Sequence, residues 1–198
     1  MTQSGVILED TPLERNLIGK LLSGLDSIRA SYCLMSRDDA IVTIRHDGSE
    51  RGFVLLHRSF READGGIPEN FKPYVVAAYA HRGAFERIQG TLSHLSGAID
   101  ASPAAPSRAA DLDLVFFQPR GINKGSALAK IAKHLGVSPH ETVAIGDAVS
   151  NDIPLLRAAG FPVAMKNSGN HLQRIATHTT RFDNNNDGVG QFIRQYWG

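Results

Sequence analysis

Two carboxylates stand five positions apart at the end of an apolar run. Asp147 follows the run Thr142-Val143-Ala144-Ile145-Gly146, and Asp152 follows Asp147 after four intervening residues. In an open α/β sheet the ligand site lies outside the carboxyl ends of the strands, so acids directly after a buried strand are placed for chemistry. Carboxylate oxygens suit Mg²⁺, which takes one or two carboxylates and completes its shell with water and substrate phosphate. The spacing therefore predicts a magnesium site.

The same spacing is also compatible with a purely structural role. Asp147 could form an Asx-turn, and Asn151 or Asp152 could cap a helix at Pro154, with no metal involved. The neighbouring residues decide between the two readings.

Two more polar side chains follow or precede predicted elements nearby. Lys124 stands at a helix start after a glycine-bounded turn, where the helix dipole disfavours a cation unless an anion binds there too. Asn167 follows the strand-like run 161–165. The order of a P-loop is missing around Lys124, so this is a different kind of phosphate site. Together these residues indicate phosphate chemistry with a divalent cation.

The run from Gly121 to Ser168, GINKGSALAKIAKHLGVSPHETVAIGDAVSNDIPLLRAAGFPVAMKNS, resembles a known pattern. It is similar to the third and fourth motifs of the haloacid dehalogenase (HAD) superfamily, in particular the Cof-type sugar-phosphate phosphatases with an α+β cap. The resemblance implies that Lys124 steadies the phosphoryl group, that Asp147 and Asp152 hold Mg²⁺, and that a small phosphorylated metabolite is the substrate. It also implies, by motif position, roles for Asn151 at the metal and Asn167 at the phosphate.

The acidic turn departs from the family pattern. Val149-Ser150 makes it one residue longer than the commonest Cof-type version. Whether Asn151 or Asp152 faces the ion is therefore open at this stage.

A larger departure is that the first family motif is missing. That motif is an Asp-x-Asp ending the first strand, and it supplies the covalent nucleophile and the general acid/base. Asp111-Leu112-Asp113 has the spacing, but its apolar run follows the acids. Glu9-Asp10 follows an apolar run but lacks the spacing. The second motif, a Ser or Thr ending a core strand, has no candidate either, as if the chain began where a relative enters its cap. We expect the chain alone to be inactive.

Length and composition limit the classes of protein to which the chain can belong. The chain has 198 residues, 42% of them hydrophobic, which is enough for a real core. With 21 basic and 20 acidic residues, and no basic run interleaved with aromatics, it lacks a nucleic-acid footprint. The single cysteine, Cys33, excludes an intramolecular disulfide and is expected in the core. No apolar run approaches the roughly 18 residues that span a bilayer, and no signal peptide is visible, so a cytoplasmic protein is expected.

The first part of the chain predicts an α+β module. Thr11-Pro12-Leu13-Glu14 is typical of a capping box, with a helix running to about Asp26. The other predicted elements are strands at 31–35, 40–45, 52–58, 74–79, 99 and 112–117, a loop at 61–71, a helix with an apolar face from Ala84 to Leu95, and an exposed connection at 101–110. The turn at 46–49 favours an antiparallel return of the 52–58 strand.

The order of the predicted elements changes after Pro119. Helices are predicted at 126–135, 151–159, 170–176 and 187–197, alternating with strands at 142–145, 161–165 and 177–181. Strands alternating with helices through short loops predict a parallel sheet. The expected fold is α/β: a cap at 1–119 and a partial HAD-like, Rossmann-type C-terminal half-core at 120–198.

Three hypotheses follow. The first is a phosphatase for a small sugar or polyol phosphate, working through an aspartyl-phosphate and represented here by its cap and half-core. The second is a non-catalytic phospho-ligand-binding or assembly module, or one half of a split enzyme. The strand before Asp147 would then pair its open edge with a second copy or a complementing chain. The third is an unrelated α/β protein. Substrate specificity would come from cap residues, with Arg37, Arg45, His46 and Arg58 as candidates.

Overall fold

The structure is a computed structural model, and it describes residues 7–45, 61–63, 66–104 and 111–198, without the side chains of Thr91 and Ser150. Contacts divide these residues into two compact units. The first unit is Asp10–Arg120; the second is Gly121–Gly198 together with the described residues before Asp10. The predicted strand at 52–58, His46 and Arg58 lie outside the described residues.

The first unit is built on a six-stranded mixed sheet. Its strands, in spatial order β3-β2-β1-β4-β6-β5, are β1 (Ser31–Met35), β2 (Ala40–Thr43), β3 (Arg61–Glu62), β4 (Val75–His81), β5 (Ile99–Pro103) and β6 (Leu112–Pro119). All neighbours are antiparallel except β2 and β3. The unit also has helix α1 (Arg15–Ser27), a 3₁₀ turn (Ala84–Ile88) and helix α2 (Gln89–Leu95).

Helices α1 and α2 contribute to one core of this unit. Leu21 and Leu25 of α1 are fully buried in the same cluster as Leu34 and Phe117 of the sheet. Cys33 faces a second cluster, where burial raises the pKa of its thiol to about 12. Cys33 is therefore a core residue, as expected.

The second unit is a small parallel α/β layer. Its strands β7 (Val143–Gly146), β8 (Phe161–Ala164) and β9 (His178–Thr179) are parallel neighbours in that order. Its helices are α3 (Lys124–Leu135), α4 (Val149–Ala158), α5 (Asn170–Ile175) and α6 (Gly188–Trp197), with 3₁₀ turns at Pro139–Glu141 and Asn184–Asn186. The predicted α/β class with a partial parallel sheet and a separate α+β module is confirmed.

Several boundaries differ from prediction. α1 begins at Arg15, three residues later than the pattern at Thr11 indicates, and Glu14 is its N-cap without a side-chain hydrogen bond. The expected capping box is therefore wrong. The N–H of Leu13 donates instead to the carbonyl of Pro73, 2.8 Å away, so a tertiary contact replaces a first helical turn.

The stretch predicted as a loop at 61–71 contains β3, which pairs in parallel with β2. Similarly, β5 continues to Pro103, into the stretch predicted as an exposed connection. In the second unit, α3 begins at Lys124 and α4 at Val149, each two residues earlier than predicted. Gly136 takes the left-handed conformation that ends α3, with φ of 69°, as predicted.

No helix among the described residues is both long and apolar enough to cross a bilayer.

Candidate functional site

The site residues of the second unit meet at one edge of its sheet. β7 and β8 are parallel with Gly146 opposite Ala164, so their carboxyl ends are level. Asp147 directly follows β7, and Asn167 lies three residues after β8. The Nδ2 of Asn167 donates a hydrogen bond to Oδ2 of Asp147 at 3.1 Å. The parallel register thus brings together two side chains that are 20 positions apart.

Asp152 lies beneath the turn that carries Asp147. Only 3% of Asp152 is exposed. Its Oδ2 accepts hydrogen bonds from the backbone N–H groups of Asp147 and Ala148, both at 2.9 Å. Gly146 makes this possible, because a Cβ there would lie 2.6 Å from the Cβ of Asp152. The Asp152 carboxylate therefore stabilises the turn by accepting hydrogen bonds from two of its backbone N–H groups.

Lys124 supplies the counter-charge of Asp152. Its Nζ lies 2.6 Å from Oδ1 of Asp152, while 56% of the lysine side chain stays exposed. The start of α3 is fixed by a reciprocal capping box between Asn123 and Ser126, with both hydrogen bonds at 3.0 Å. The cation at the helix start is thus held by a buried anion, which offsets the unfavourable helix dipole.

The close approach of α3 to α4 sets the reach of Lys124. A Cβ on Gly125 would lie 2.3 Å from the carbonyl oxygen of Pro154, so only glycine allows the two helices to come this near. The lysine next to Gly125 can then span the gap to Asp152.

The protonation of Asp152 is set by opposing effects. Burial raises its pKa, but the hydrogen bond from Lys124 and those from the amides of Ala148 and Asp147 outweigh burial, and the pKa lies below its ordinary value. Asp152 is therefore a carboxylate at neutral pH, with both oxygens already engaged.

Asp147 differs from Asp152 in exposure and in partners. Asp147 is exposed, and within the described part of the chain its Oδ1 accepts no hydrogen bond. Asn151 lies in the first turn of α4 and is half-buried. The alternative of a helix capped at Pro154 does not occur, because α4 begins at Val149 with Ala148 as N-cap and Pro154 lies inside the helix.

The site fits a divalent cation only in part. No cluster of three or more His, Cys, Asp or Glu side chains suited to a metal occurs among the described residues. Mg²⁺ requires only one or two protein carboxylates when water and phosphate complete its octahedron. Asp147, an exposed residue, supplies one such carboxylate, so the described residues provide part of the ligand set of a magnesium ion.

The acids considered as substitute nucleophiles have other partners: Glu9 pairs with Lys130 in the second unit, and the others lie in the first unit. Asp10 accepts hydrogen bonds from the Tyr74 hydroxyl and, at 3.0 Å, from Arg37. The Tyr74 bond lowers the pKa of Asp10, burial opposes this, and the charge of Arg37 adds to it. Asp111 pairs with Arg82 at 3.2 Å and flanks the start of β6, so it opens a strand rather than ending one.

Asp113 and Arg45 have structural partners of their own. Oδ2 of Asp113 accepts from the backbone N–H of Gly83 at 3.0 Å. Arg45, a candidate for specificity, pairs with Asp26 at 2.8 Å and donates to the carbonyl of Ala30 at 2.8 Å. Neither Asp113 nor Arg45 is therefore an unengaged polar group.

Sequence reasoning missed the turn around Asn184. The backbone N–H of Asn184 donates to Oδ1 of Asn167 at 3.1 Å. The asparagine run at 184–186 indicated only a loop, because a backbone donor carries no signal in the side-chain pattern.

Comparisons with known proteins identify the family of this chain. A family model described as haloacid dehalogenase-like hydrolase matches residues 2–193. A phosphoglycolate phosphatase of Methanopyrus kandleri is 42% identical over 74 residues, which are 37% of this chain and 31% of the relative. The 5-amino-6-(5-phospho-D-ribitylamino)uracil phosphatase YitU of Bacillus subtilis is 39% identical over 77 residues, 39% of this chain and 28% of the relative. The alignments thus span less than a third of these relatives.

Solved structures share the fold. A haloacid dehalogenase-like hydrolase from Bacteroides thetaiotaomicron superposes with a TM-score of 0.80 at 20% identity, covering 98% of this chain and 71% of that one. The HAD subclass IIB sugar phosphatase BT4131 gives a TM-score of 0.79 at 14% identity, covering 98% and 70%. At these identities the superpositions establish a common fold.

Proposed function

This chain belongs to the haloacid dehalogenase-like hydrolase family, and from that premise we propose that it carries the phosphate- and magnesium-binding half of a phosphatase. We assign residues 1–119 to the cap and 120–198 to the C-terminal half of the core. The substrate class is a small phosphorylated metabolite such as a sugar or polyol phosphate. The two relatives described above are phosphatases of small phosphorylated compounds, which supports this class.

The observation that carries the proposal is the bonding of Asp152. One carboxylate joins Lys124 to the two amides of the Asp147 turn. It holds the lysine and the turn at one end of the sheet, where a phosphoryl group can contact both. Preorganised charges of this kind stabilise a transferring phosphoryl group.

The roles of the site residues follow from their exposure. Asp147 would be the direct ligand of Mg²⁺, which when bound neutralises charge on the phosphoryl oxygens. Asp152 has both oxygens engaged, so we assign it the positioning of Lys124 and of the turn. Asn151 would line the ion site from α4, and Asn167 would orient Asp147 next to the phosphate. Lys124, with a half-exposed side chain, would contact the phosphoryl oxygens.

The 198-residue chain alone is expected to lack the covalent step, because its sequence has no Asp-x-Asp after a strand. The test combines binding with turnover. Hydrogen exchange of 142–152 should slow when Mg²⁺ and inorganic phosphate are added together, and p-nitrophenyl phosphate should not be hydrolysed. The Asp147→Asn variant should lose the protection. Absence of protection in the wild type overturns the binding role. Robust Mg²⁺-dependent hydrolysis overturns the prediction of inactivity.

A second candidate function is assembly through β7. β7 is at the edge of its sheet, no described strand pairs with its other side, and 43% of Val143 is exposed. Unpaired edges of this type favour pairing with another chain. A homo-oligomer, or a heterodimer with a chain that supplies Asp-x-Asp, would support this candidate in light scattering. A monodisperse monomer that gains no activity from such a chain would contradict it.

A further inference from the structure

The side-chain amide of Asn167 is bonded at both ends. Its Oδ1 accepts the backbone N–H of Asn184, and its Nδ2 donates to Oδ2 of Asp147, both at 3.1 Å. An amide offers one accepting end and one donating end, and the surrounding hydrogen bonds determine which way round it lies. Because only the oxygen can accept from Asn184, the donating end must face Asp147.

The turn that presents the N–H of Asn184 is itself held by several bonds. Asp183 precedes it as N-cap, and Oδ1 of Asp183 accepts from the backbone N–H of Asn185 at 3.1 Å and from Nδ2 of Asn186 at 2.7 Å. The carbonyl of Asp183 also accepts from the N–H of Gly188 at 2.9 Å. The Asn184 N–H group that binds Asn167 therefore belongs to a turn stabilised by its own hydrogen bonds.

The backbone also packs closely at Gly188, just after this turn. A Cβ at that position would lie 2.2 Å from the carbonyl oxygen of Phe182. A residue larger than glycine at this position would therefore force the backbone at Phe182 and Asp183, next to the turn, to shift.

We propose that the turn Asp183–Asn186 is a positioning element for Asp147, acting through Asn167. The Asn167 amide engages Oδ2 of Asp147 and leaves Oδ1, which takes no hydrogen bond within the described part of the chain, as the oxygen that faces a divalent cation. The inference rests on the proposed role of Asp147 as a metal ligand. Groups that orient a metal ligand in this way typically change metal affinity 10–100-fold when removed.

A single backbone donor can be removed to test this. Asn184→Pro deletes the N–H that binds Asn167. Proline fits this position, because Asn184 is the first residue of the 3₁₀ turn and Asp183 before it is extended, with φ of −85° and ψ of −176°. Asn184→Ala is the matched control. It keeps the N–H, and the side chain it removes makes no hydrogen bond among the described residues.

Two readouts on the full 198-residue chain decide the proposal. In NMR spectra the side-chain NH₂ signal of Asn167, assigned with Asn167→Ala, should move toward the position of a free amide in Asn184→Pro and stay in place in Asn184→Ala. The Mn²⁺ affinity, measured by water-proton relaxation, should fall 10–100-fold in the proline variant alone. Asp183→Ala, which loosens the turn without proline, should change both readouts in the same direction and covers the case in which Asn184→Pro does not fold.

The outcomes separate this inference from the proposed function. An unchanged Asn167 signal and Mn²⁺ affinity in Asn184→Pro, with equal thermal unfolding midpoints, overturns the positioning role. Equal losses in the proline and alanine variants overturn it as well. If Asp147→Asn binds Mn²⁺ as tightly as the wild type, the metal role of Asp147 fails, and with it the proposed function. The Asn167 signal then still decides whether the turn orients the amide.

Discussion

Asp152 connects two segments that are 28 positions apart in sequence. It takes one hydrogen bond from Lys124 at the start of α3 and two from the turn after β7. A buried carboxylate without partners would be costly, whereas one with three donors is stabilised as an anion. Asp152 therefore contributes to the stability of the second unit as well as to the geometry of its site.

Replacing Asp152 with asparagine is expected to lower the free energy of unfolding by about 2 kcal/mol at pH 7, because asparagine keeps only one accepting oxygen: its NH₂ cannot accept from the donor at the other end, and the remaining hydrogen bonds lose the negative charge. Solvent screens the half-exposed Lys124, so the two amide bonds contribute most of this. The folded-state pKa of Asp152 lies below the ordinary value of 3.8. The stability it contributes is therefore complete above that value and is lost as the pH falls through the folded-state pKa.

Urea unfolding of the wild type and Asp152→Asn at pH 7 and at pH 3 measures this effect. The difference between the two proteins should be smaller at pH 3. Ser126→Ala, which removes a neutral cap of the same helix, serves as control and should show a difference that does not depend on pH. A gap for Asp152→Asn that widens at low pH would contradict the assignment.

The proximity of the candidate site residues was predictable from sequence, but the hydrogen bonds that each carboxylate oxygen accepts were not. Lys124, Asp147, Asp152 and Asn167 meet as the motif spacing indicates. α4 begins at Val149, and Oδ2 of Asp152 accepts from the backbone N–H groups of Asp147 and Ala148. That outcome depends on backbone N–H groups and on the contact with Gly146, and neither leaves a side-chain pattern.

At the scale of elements, long periodic segments were predictable and short or tertiary-paired ones were not. Helices α3 and α6 and strands β1 and β8 lie within two residues of their predicted positions. β3 has two charged residues and no apolar pattern, and it joins the sheet through its parallel pairing with β2. Tertiary pairing thus outweighs local propensity at these positions.

The C-terminal helix is attached to the sheet by aromatic packing. Phe161 of β8 and His178 of β9 stack with centroids 4.3 Å apart, and Phe192 and Tyr196 of α6 lie 4.5 Å apart beside them. Trp197 packs against Phe161 at 5.7 Å. Phe192 is the most buried member of α6 in this cluster.

Phe192→Ala is expected to destabilise the second unit by about 3–4 kcal/mol, since it leaves a cavity among these rings. The fluorescence of Trp197, the single tryptophan, follows the unfolding directly. Ile193→Ala on the same helix is the control. Its side chain is 47% exposed, so the change should stay within about 0.5 kcal/mol. Similar losses in both variants would show that α6 is held by general hydrophobicity rather than by Phe192.

At the scale of the whole chain, the predicted family and fold are confirmed, and the hypothesis of an unrelated α/β protein is wrong. Strand–helix alternation after Pro119 is what made the parallel layer predictable. Each described hydrophobic cluster lies wholly within one unit: two in Asp10–Arg120 and one in Gly121–Gly198. The two units therefore have separate cores.

Separate cores predict separate responses to a local cavity. The chain carries one probe in each unit, because its single cysteine, Cys33, is buried in the first and its single tryptophan, Trp197, lies in the second. Cys33 is inaccessible, and burial raises its pKa to about 12, so labelling by a thiol reagent reports unfolding of its sheet. In Phe192→Ala, the urea midpoint from Trp197 fluorescence should fall while the midpoint from Cys33 labelling stays within error. Equal shifts of both midpoints would mean that the chain unfolds as one cooperative unit in spite of its separate cores.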